Sequence, residues 1–264
     1  MNGVRHYLLA LQFFTRVPVT GRLAEWIGFS PQMLRASAAH FPGVGWLVGG
    51  VGAAVFVLAL QGLPGVAGAL AAALLSMAAT VLLTGAFHED GLADVADGLG
   101  GSVDRSRALE IMKDSRIGAF GAIALVLALG LKAALLASMA GQGAQAVAGA
   151  IVGAHVLSRL APLFLIRWLP YVGDSGASKA KPLADAIGGG ALLVGGLWSV
   201  PAAGLVLLTQ GPGRTMAVAV ACALAALVMA RMFRRRLQGF TGDGLGATQQ
   251  VCELAIYLAL AWQA

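Results

Sequence analysis

A chain of 264 residues with 58% hydrophobic and only 11% charged side chains is too apolar for a soluble domain, in which about 25% of residues are charged. It reads as an integral membrane protein. The net charge of +6 does not point to nucleic acid, because the basic residues follow the pattern of membrane topology. Cys222 and Cys252 lie in apolar runs and imply no disulfide framework. The 37 glycines suit helices that pack closely in lipid.

Residues 1–35 place Arg5, Arg16, Arg22 and Arg35 around apolar patches such as YLLALQFF. With no small-residue cleavage site, this is expected to be an amphipathic interfacial segment and not a cleavable signal. From Ala36 to Phe87 no formally charged side chain occurs, and Gly62-Leu63-Pro64-Gly65 breaks the run. Two spans are predicted, about 44–60 and 66–86. A third, about 117–140, contains Lys132, expected near its far end, where it can snorkel. A fourth, about 146–168, contains His155 and Arg159. A polar loop over 170–187 carries Lys179 and Lys181. Spans five and six are expected over about 188–208 and 215–233, the latter running into Arg234-Arg235-Arg236. A last apolar run, about 247–262, contains Glu253. The expected fold is all-α: one membrane-embedded domain over 1–264, with about seven transmembrane helices and an N-terminal interfacial segment. With the N-terminus cytoplasmic, all 18 Lys and Arg except Lys132 and Arg214 fall at or near the cytoplasmic side. The charged patches at 88–116, 170–187 and 234–246 then share one face, where a single cytoplasmic active site can form.

The densest chemistry lies in Phe87–Gly121, FHEDGLADVADGLGGSVDRSRALEIMKDSRIGAFG. Asp90, Asp94 and Asp97 are spaced i, i+4, i+7 and so share one helical face. Like charges repel there unless a divalent cation binds them, and oxygen ligands of this kind suit Mg²⁺ or Mn²⁺. Simple capping would use one acid at a terminus, not three on a face. Glu89 points about a quarter-turn away and is the second-choice ligand. Lys113-Asp114-Ser115-Arg116 alternates charge just before Gly118 and Gly121 open a span. Its cations can clamp phosphate oxygens with help from the helix N-terminus; the competing reading is an ion-paired helix entry. Arg105 and Arg107 read as orientation determinants. Arg159, inside a span, is expected to pair with an acid or bind an anion, and His155 to be a packing residue. Lys179 and Lys181 are candidate phosphate contacts that compete with plain solvation. In Thr241-Gly242-Asp243-Gly244, Asp243 is either a further ligand or base, or the N-cap of the last span. Glu253 is a candidate buried partner for Arg159 or His155. Acids for a metal and cations for phosphate at a membrane surface suggest phosphoryl transfer. GxxxxGK[ST] and HExxH are absent, so a P-loop NTPase and a zinc protease are not supported.

HEDGLADVADG, then LEIMKDSRIGAFG, then GFTGDGLGAT, together with the opening LLALQFFTRVPV and HFPGVGWLVGG, closely resemble the cobalamin 5′-phosphate synthases, or adenosylcobinamide-GDP ribazoletransferases. The resemblance extends over almost the whole chain. It implies an inner-membrane enzyme that joins adenosylcobinamide-GDP to α-ribazole or its 5′-phosphate with Mg²⁺ and releases GMP. The family's acidic motif maps onto Asp90, Asp94 and Asp97, its basic segment onto Lys113, Asp114 and Arg116, and its glycine-rich motif onto Thr241, Gly242 and Asp243. Lys179 and Lys181 transfer less clearly. On this reading Lys113, Arg116 and Arg159 stabilise the departing charge, and one of the aspartates, Asp243 included, accepts the hydroxyl proton. The partners implied are the two substrates and the lipid bilayer, with no nucleic acid, and a homo-oligomer is allowed. CDP-alcohol phosphotransferases are the rival, but Gly101-Ser102 replaces the Ala-Arg of their motif and no GxxxDxxxD follows. A divalent-cation transporter would place its acids near the bilayer midplane, often in repeated halves. Here the acids sit at one edge.

Overall fold

A computed structural model describes residues 2–173 and 187–262. The N-terminal segment folds into three short helices, α1 (Asn2–Phe14), α2 (Gly21–Ile27) and α3 (Pro31–Ser37). Ser30 caps α3 by accepting from the Met33 amide at 3.1 Å, and Pro31 supplies the fixed φ of the first turn. The apolar sides of these helices bury Leu9, Phe14, Ile27 and Leu34 in one core with Phe41 and Leu163.

The bundle follows: α4 (Phe41–Gly62), α5 (Gly65–Thr84), α8 (Ala119–Met139), α9 (Ala144–Ser158), α10 (Ala161–Trp168), α11 (Gly189–Gln210), α12 (Pro212–Arg236) and α13 (Gly242–Ala261). Helices α6 (Phe87–Gly101) and α7 (Arg105–Ile111) lie between α5 and α8. Among the described residues, six stretches are long and apolar enough to cross a membrane. They correspond to the first six predicted spans. The seventh, α13, is long enough at 20 residues but too polar to be counted with them. It lies inside the bundle, against α6, α8, α9, α10 and α12. Its polar side chains turn inward: Thr248, Gln249, Gln250 and Glu253 are all buried. The protein is therefore an all-α, multi-pass membrane protein in which the polar side of one helix faces the interior of the bundle.

Two local features position the site. Gly45 and Gly49 let α4 press on α9: a Cβ on Gly45 would stand 2.5 Å from the His155 carbonyl oxygen, and one on Gly49 2.8 Å from Val152 Cα. The fourth span is also not one continuous helix. Pro162 lacks an amide and its ring collides with the carbonyl four residues back, at Ser158. The chain accordingly breaks between α9 and α10, with short i→i−3 bonds from Arg159 to Val156 (3.2 Å) and from Leu160 to Leu157 (3.1 Å). Arg159 sits in that break.

The first and third polar stretches, and residues 170–172 at the start of the second, meet at one end of the bundle. Arg236 donates to the carbonyls of Leu99 (3.1 Å) and Ser102 (2.7 Å), and Arg105 to that of Leu237 (2.6 Å). The Phe240 amide donates to the Pro170 carbonyl and the Val172 amide to that of Phe240, both at 2.9 Å. Arg214 lies with the opposite turns, donating to Gln210 at 3.0 Å. Lys179 and Lys181 lie outside the described residues.

Candidate active site

Helix α6 begins just after a left-handed turn at Gly85 (φ 67°) and Ala86 (φ 59°). Along it Asp90 is exposed, Asp94 half-buried and Asp97 buried. Asp243 joins them from the first turn of α13, ahead of that helix's apolar run. Gly91 makes the approach possible, since a Cβ there would lie 2.7 Å from the Asp243 carbonyl oxygen. The N-cap of α13 is Thr241, whose hydroxyl accepts from the Gly244 amide at 3.1 Å. Asp243 is thus released from the capping role that competed for it. Burial, then the neighbouring charges of Asp243, Asp90 and Asp97, pushes the Asp94 carboxyl up to about 7. Burial and Asp90 raise Asp243 to about 6, against a hydrogen bond from Thr241. Like charges have been collected here, partly out of water.

Asp97 is placed differently from its expected role. Its Oδ2 accepts from the Gly118 amide at 2.7 Å and its Oδ1 from the Gly121 amide at 2.8 Å. It therefore caps the N-terminus of α8 from a separate helix, and Gly118 and Gly121 have no room beside it for a Cβ. That helix terminus, expected to help hold phosphate, is occupied by a carboxylate of the chain itself. In the basic segment, Arg116 forms a forked pair with Asp114 (Nη2–Oδ2 2.6 Å, Nε–Oδ1 2.9 Å) at the surface, which holds Asp114 at about 2. So the ion-paired reading describes Asp114 and Arg116, while Lys113 is exposed beside them. A surface pair of this kind contributes little to stability and can open for a better anion.

Behind the acids, a buried hydrogen-bonded chain links α6 to the middle of α8. Gln250 donates to Glu89 Oε1 (3.0 Å) and to Gln249 Oε1 (3.1 Å). Gln249 donates to Glu253 Oε2 (2.8 Å) and Ser158 (3.0 Å). Glu253 Oε1 meets Lys132 Nζ at 2.6 Å and His155 Nε2 at 3.5 Å. Lys132 is only 3% exposed, so it does not snorkel as expected. The Glu253 carboxylate on the facing helix holds it inside the bundle. Glu253 consequently pairs first with Lys132, then His155, and not with Arg159. Glu89 faces this network, away from the side where Asp90 is exposed.

Arg159 donates from Nη1 to the His155 carbonyl (2.8 Å) and contacts its Nδ1 at 3.1 Å, which assigns the ring proton to Nε2, facing Glu253. The Arg159 Nε is buried without a hydrogen-bond partner. The residue lines a cavity of about 30 Å³ with Phe14, Phe41, Phe87, His88 and Gln249. Lys132, Gln249 and Gln250 were not recognised from sequence as part of this framework. The spacing that could have disclosed it is Gln249-Gln250-x-x-Glu253, a polar stripe inside an apolar run.

Among the described residues no three His, Cys, Asp or Glu side chains close into a metal-binding group. Magnesium, however, commonly takes one or two carboxylates and completes its shell with phosphate oxygens and water. Asp90 and Asp243 fit that donor set, and the raised proton affinities of Asp94 and Asp243 are what uncompensated carboxylates produce.

The sequence pattern of the cobalamin-5-phosphate synthase family matches residues 6–261. Proteins named adenosylcobinamide-GDP ribazoletransferase resemble the chain throughout. That of Albidiferax ferrireducens is 60% identical, covering 98% of both chains. That of Polaromonas naphthalenivorans is 56% identical over 99% of both. That of Shewanella amazonensis is 46% identical over 96% of this chain and 94% of its own. No solved structure matches. The chain belongs to the cobalamin-5-phosphate synthase family.

Proposed function

From its place in that family, we propose that the chain is an adenosylcobinamide-GDP ribazoletransferase. It joins adenosylcobinamide-GDP to α-ribazole or its 5′-phosphate and releases GMP. The observation that carries this reading is likeness over nearly the whole chain to relatives of that name. The site supports it: carboxylates and cations suited to a pyrophosphate meet at one membrane edge, supplied by distant parts of the sequence.

In the reaction a ribazole hydroxyl oxygen attacks the phosphorus attached to cobinamide. A P–O bond forms there, the phosphoanhydride P–O bond breaks, and GMP leaves with that electron pair. Asp94 is the proton acceptor: it stands half-buried beside Asp90 and Asp243, and burial, the largest cause of its shift, raises its affinity for a proton. Mg²⁺, held by Asp90 and Asp243, would neutralise charge on the pyrophosphate. Lys113 would meet the leaving phosphate, and Arg116 would join it by exchanging Asp114 for substrate. Asp97 acts at one remove, fixing α8 and the loop before it against α6. The buried Glu89–Gln250–Gln249–Glu253–Lys132 chain holds α6 and α13 in register, so that Asp94 and Asp243 stay adjacent. The protein lies in the inner membrane with this face in the cytoplasm, as the distribution of Lys and Arg supports. Lys179 and Lys181 are further phosphate contacts on this proposal.

The test is release of GMP from adenosylcobinamide-GDP by the purified protein in lipid nanodiscs, with and without α-ribazole. Release that requires both α-ribazole and Mg²⁺ is expected. No release, or release of CMP from a CDP-alcohol instead, would overturn the assignment.

A further inference from the structure

Away from the acids, the outer side of the bundle carries a cavity of about 400 Å³ between α10, α11 and α12. Its walls are almost wholly apolar, with Phe164, Ala203, Val218, Ala219, Ala223 and Leu227 among them. Small side chains on α12 line it, with Ala219, Ala223 and Ala226 along one stripe. From Thr215 to Leu227 the slot follows α12 for 12 residues, about 18 Å at 1.5 Å per residue. A second cavity, about 270 Å³, shares the walls Trp168 and Leu227 and ends on Arg231 and Arg234. Both arginines are exposed, and neither has a hydrogen bond or ion pair among the described residues. They stand three apart, on one side of α12. Trp168, 55% exposed, marks the junction where aromatic side chains gather at a membrane surface.

We propose that this slot is a binding site for one anionic phospholipid, with an acyl chain between α10, α11 and α12 and its phosphate on Arg231 and Arg234. The two parts of the slot match the two parts of such a molecule in order: an apolar channel at membrane depth, then paired guanidinium groups at the helix end. Basic side chains at a membrane edge attract anionic lipid, and the fork of a guanidinium suits phosphate. A second copy of the chain fits less well, because a two-fold contact through this face would bring Arg231 and Arg234 against their own equivalents. The site is separate from the acid group and does not depend on the proposed reaction.

Native mass spectrometry of the intact protein tests this after exchange into equal amounts of phosphatidylglycerol and phosphatidylethanolamine. The wild type should retain one phosphatidylglycerol, at least fivefold over phosphatidylethanolamine. Arg231→Gln with Arg234→Gln should abolish that preference, and Ala223→Phe should fill the channel and reduce retention of both lipids at least fivefold. Circular dichroism and thermal unfolding identify any variant that has not folded, for which Ala219→Leu replaces Ala223→Phe and the single arginine variants replace the double one. Three results would overturn the proposal: equal retention of both lipids by the wild type, retention unchanged in folded variants, or a dimer that Ala223→Phe converts to monomer.

Discussion

Helices α6 and α13 contribute to two carboxylate groupings that lie side by side and are organised in opposite ways. At the polar face, Asp90 and Asp94 of α6 meet Asp243 of α13, like charge against like. One residue along from Asp90, Glu89 turns into the bundle, where with Glu253 it joins a chain of amide, imidazole and ammonium donors. Depth in the membrane explains the difference. A charge far from water must be paired, so Glu253 takes Lys132. At the edge, solvation and an incoming cation or substrate can supply what the chain withholds. The inner group fixes geometry, and the outer group keeps its charge available.

The comparison breaks most clearly if the two groups respond alike to mutation. Asp94→Asn should lower GMP release by about 10²–10⁴-fold, the loss typical of a removed general base. Thermal stability in chelator should be unchanged or raised, because a repelling charge has gone. Asp243→Asn should show the same split. An Asp94→Asn protein with normal turnover would remove Asp94 from the chemistry. The inner pair should do the reverse. Lys132→Ala or Glu253→Ala leaves a buried charge alone, a change that costs about 3–5 kcal/mol, while Lys132→Met with Glu253→Leu should recover most of it. Unfolding in a graded denaturing detergent measures this, and a double variant as unstable as the singles would show that the pair does not stand alone.

How much of this was legible in the sequence varied with the range of the interaction. The apolar runs gave six spans, because hydropathy over some 20 residues is a local property. The acidic motif was legible for the same reason. The use made of Asp97 was not, since Gly118 and Gly121 lie more than twenty residues along and nothing in a helical wheel reports a neighbouring helix end. Lys132 failed likewise: a lone basic residue in a span looks able to reach the surface until the facing helix is seen to carry Glu253. Thr241 was quoted with its motif but not recognised as the cap that frees Asp243. The break at Arg159 was legible in principle from Pro162, three residues on.

Asp97 sharpens the comparison at smaller scale, because it belongs by sequence to the outer group and by contacts to the framework. Asp97→Ala removes two acceptors from the start of α8 and should cost about 1–2 kcal/mol, as lost caps do. Asp97→Asn, which keeps one oxygen, should cost less. Activity should follow stability in both and be restored by cooling or stabilising lipid. Turnover abolished in a protein of wild-type stability would instead put Asp97 with the acids that meet substrate.

The smallest effect expected is on the dependence of stability on pH. Asp94 and Asp243 ordinarily ionise near 3.8, and in the folded protein near 7 and 6. Between those limits the folded state holds more protons than the unfolded one, so stability must fall as pH rises from about 4 to 7, and level off above that. Both side chains are partly exposed, so water screens the effect and a change of a few degrees in unfolding temperature is the expected scale. A cation bound by Asp90 and Asp243, beside Asp94, opposes the trend. Mg²⁺ should therefore raise the unfolding temperature at pH 8, where the acids are ionised, and do little at pH 5, where protons occupy them. Asp94→Asn should flatten the slope, and Asp243→Asn should both flatten it and shrink the response to Mg²⁺. Unfolding followed at pH 5 and pH 8, in chelator and in Mg²⁺, gives all four values without any substrate. A protein more stable at pH 8 than at pH 5 in chelator would mean that these acids are already paired, which would remove the contrast between the outer and inner groups.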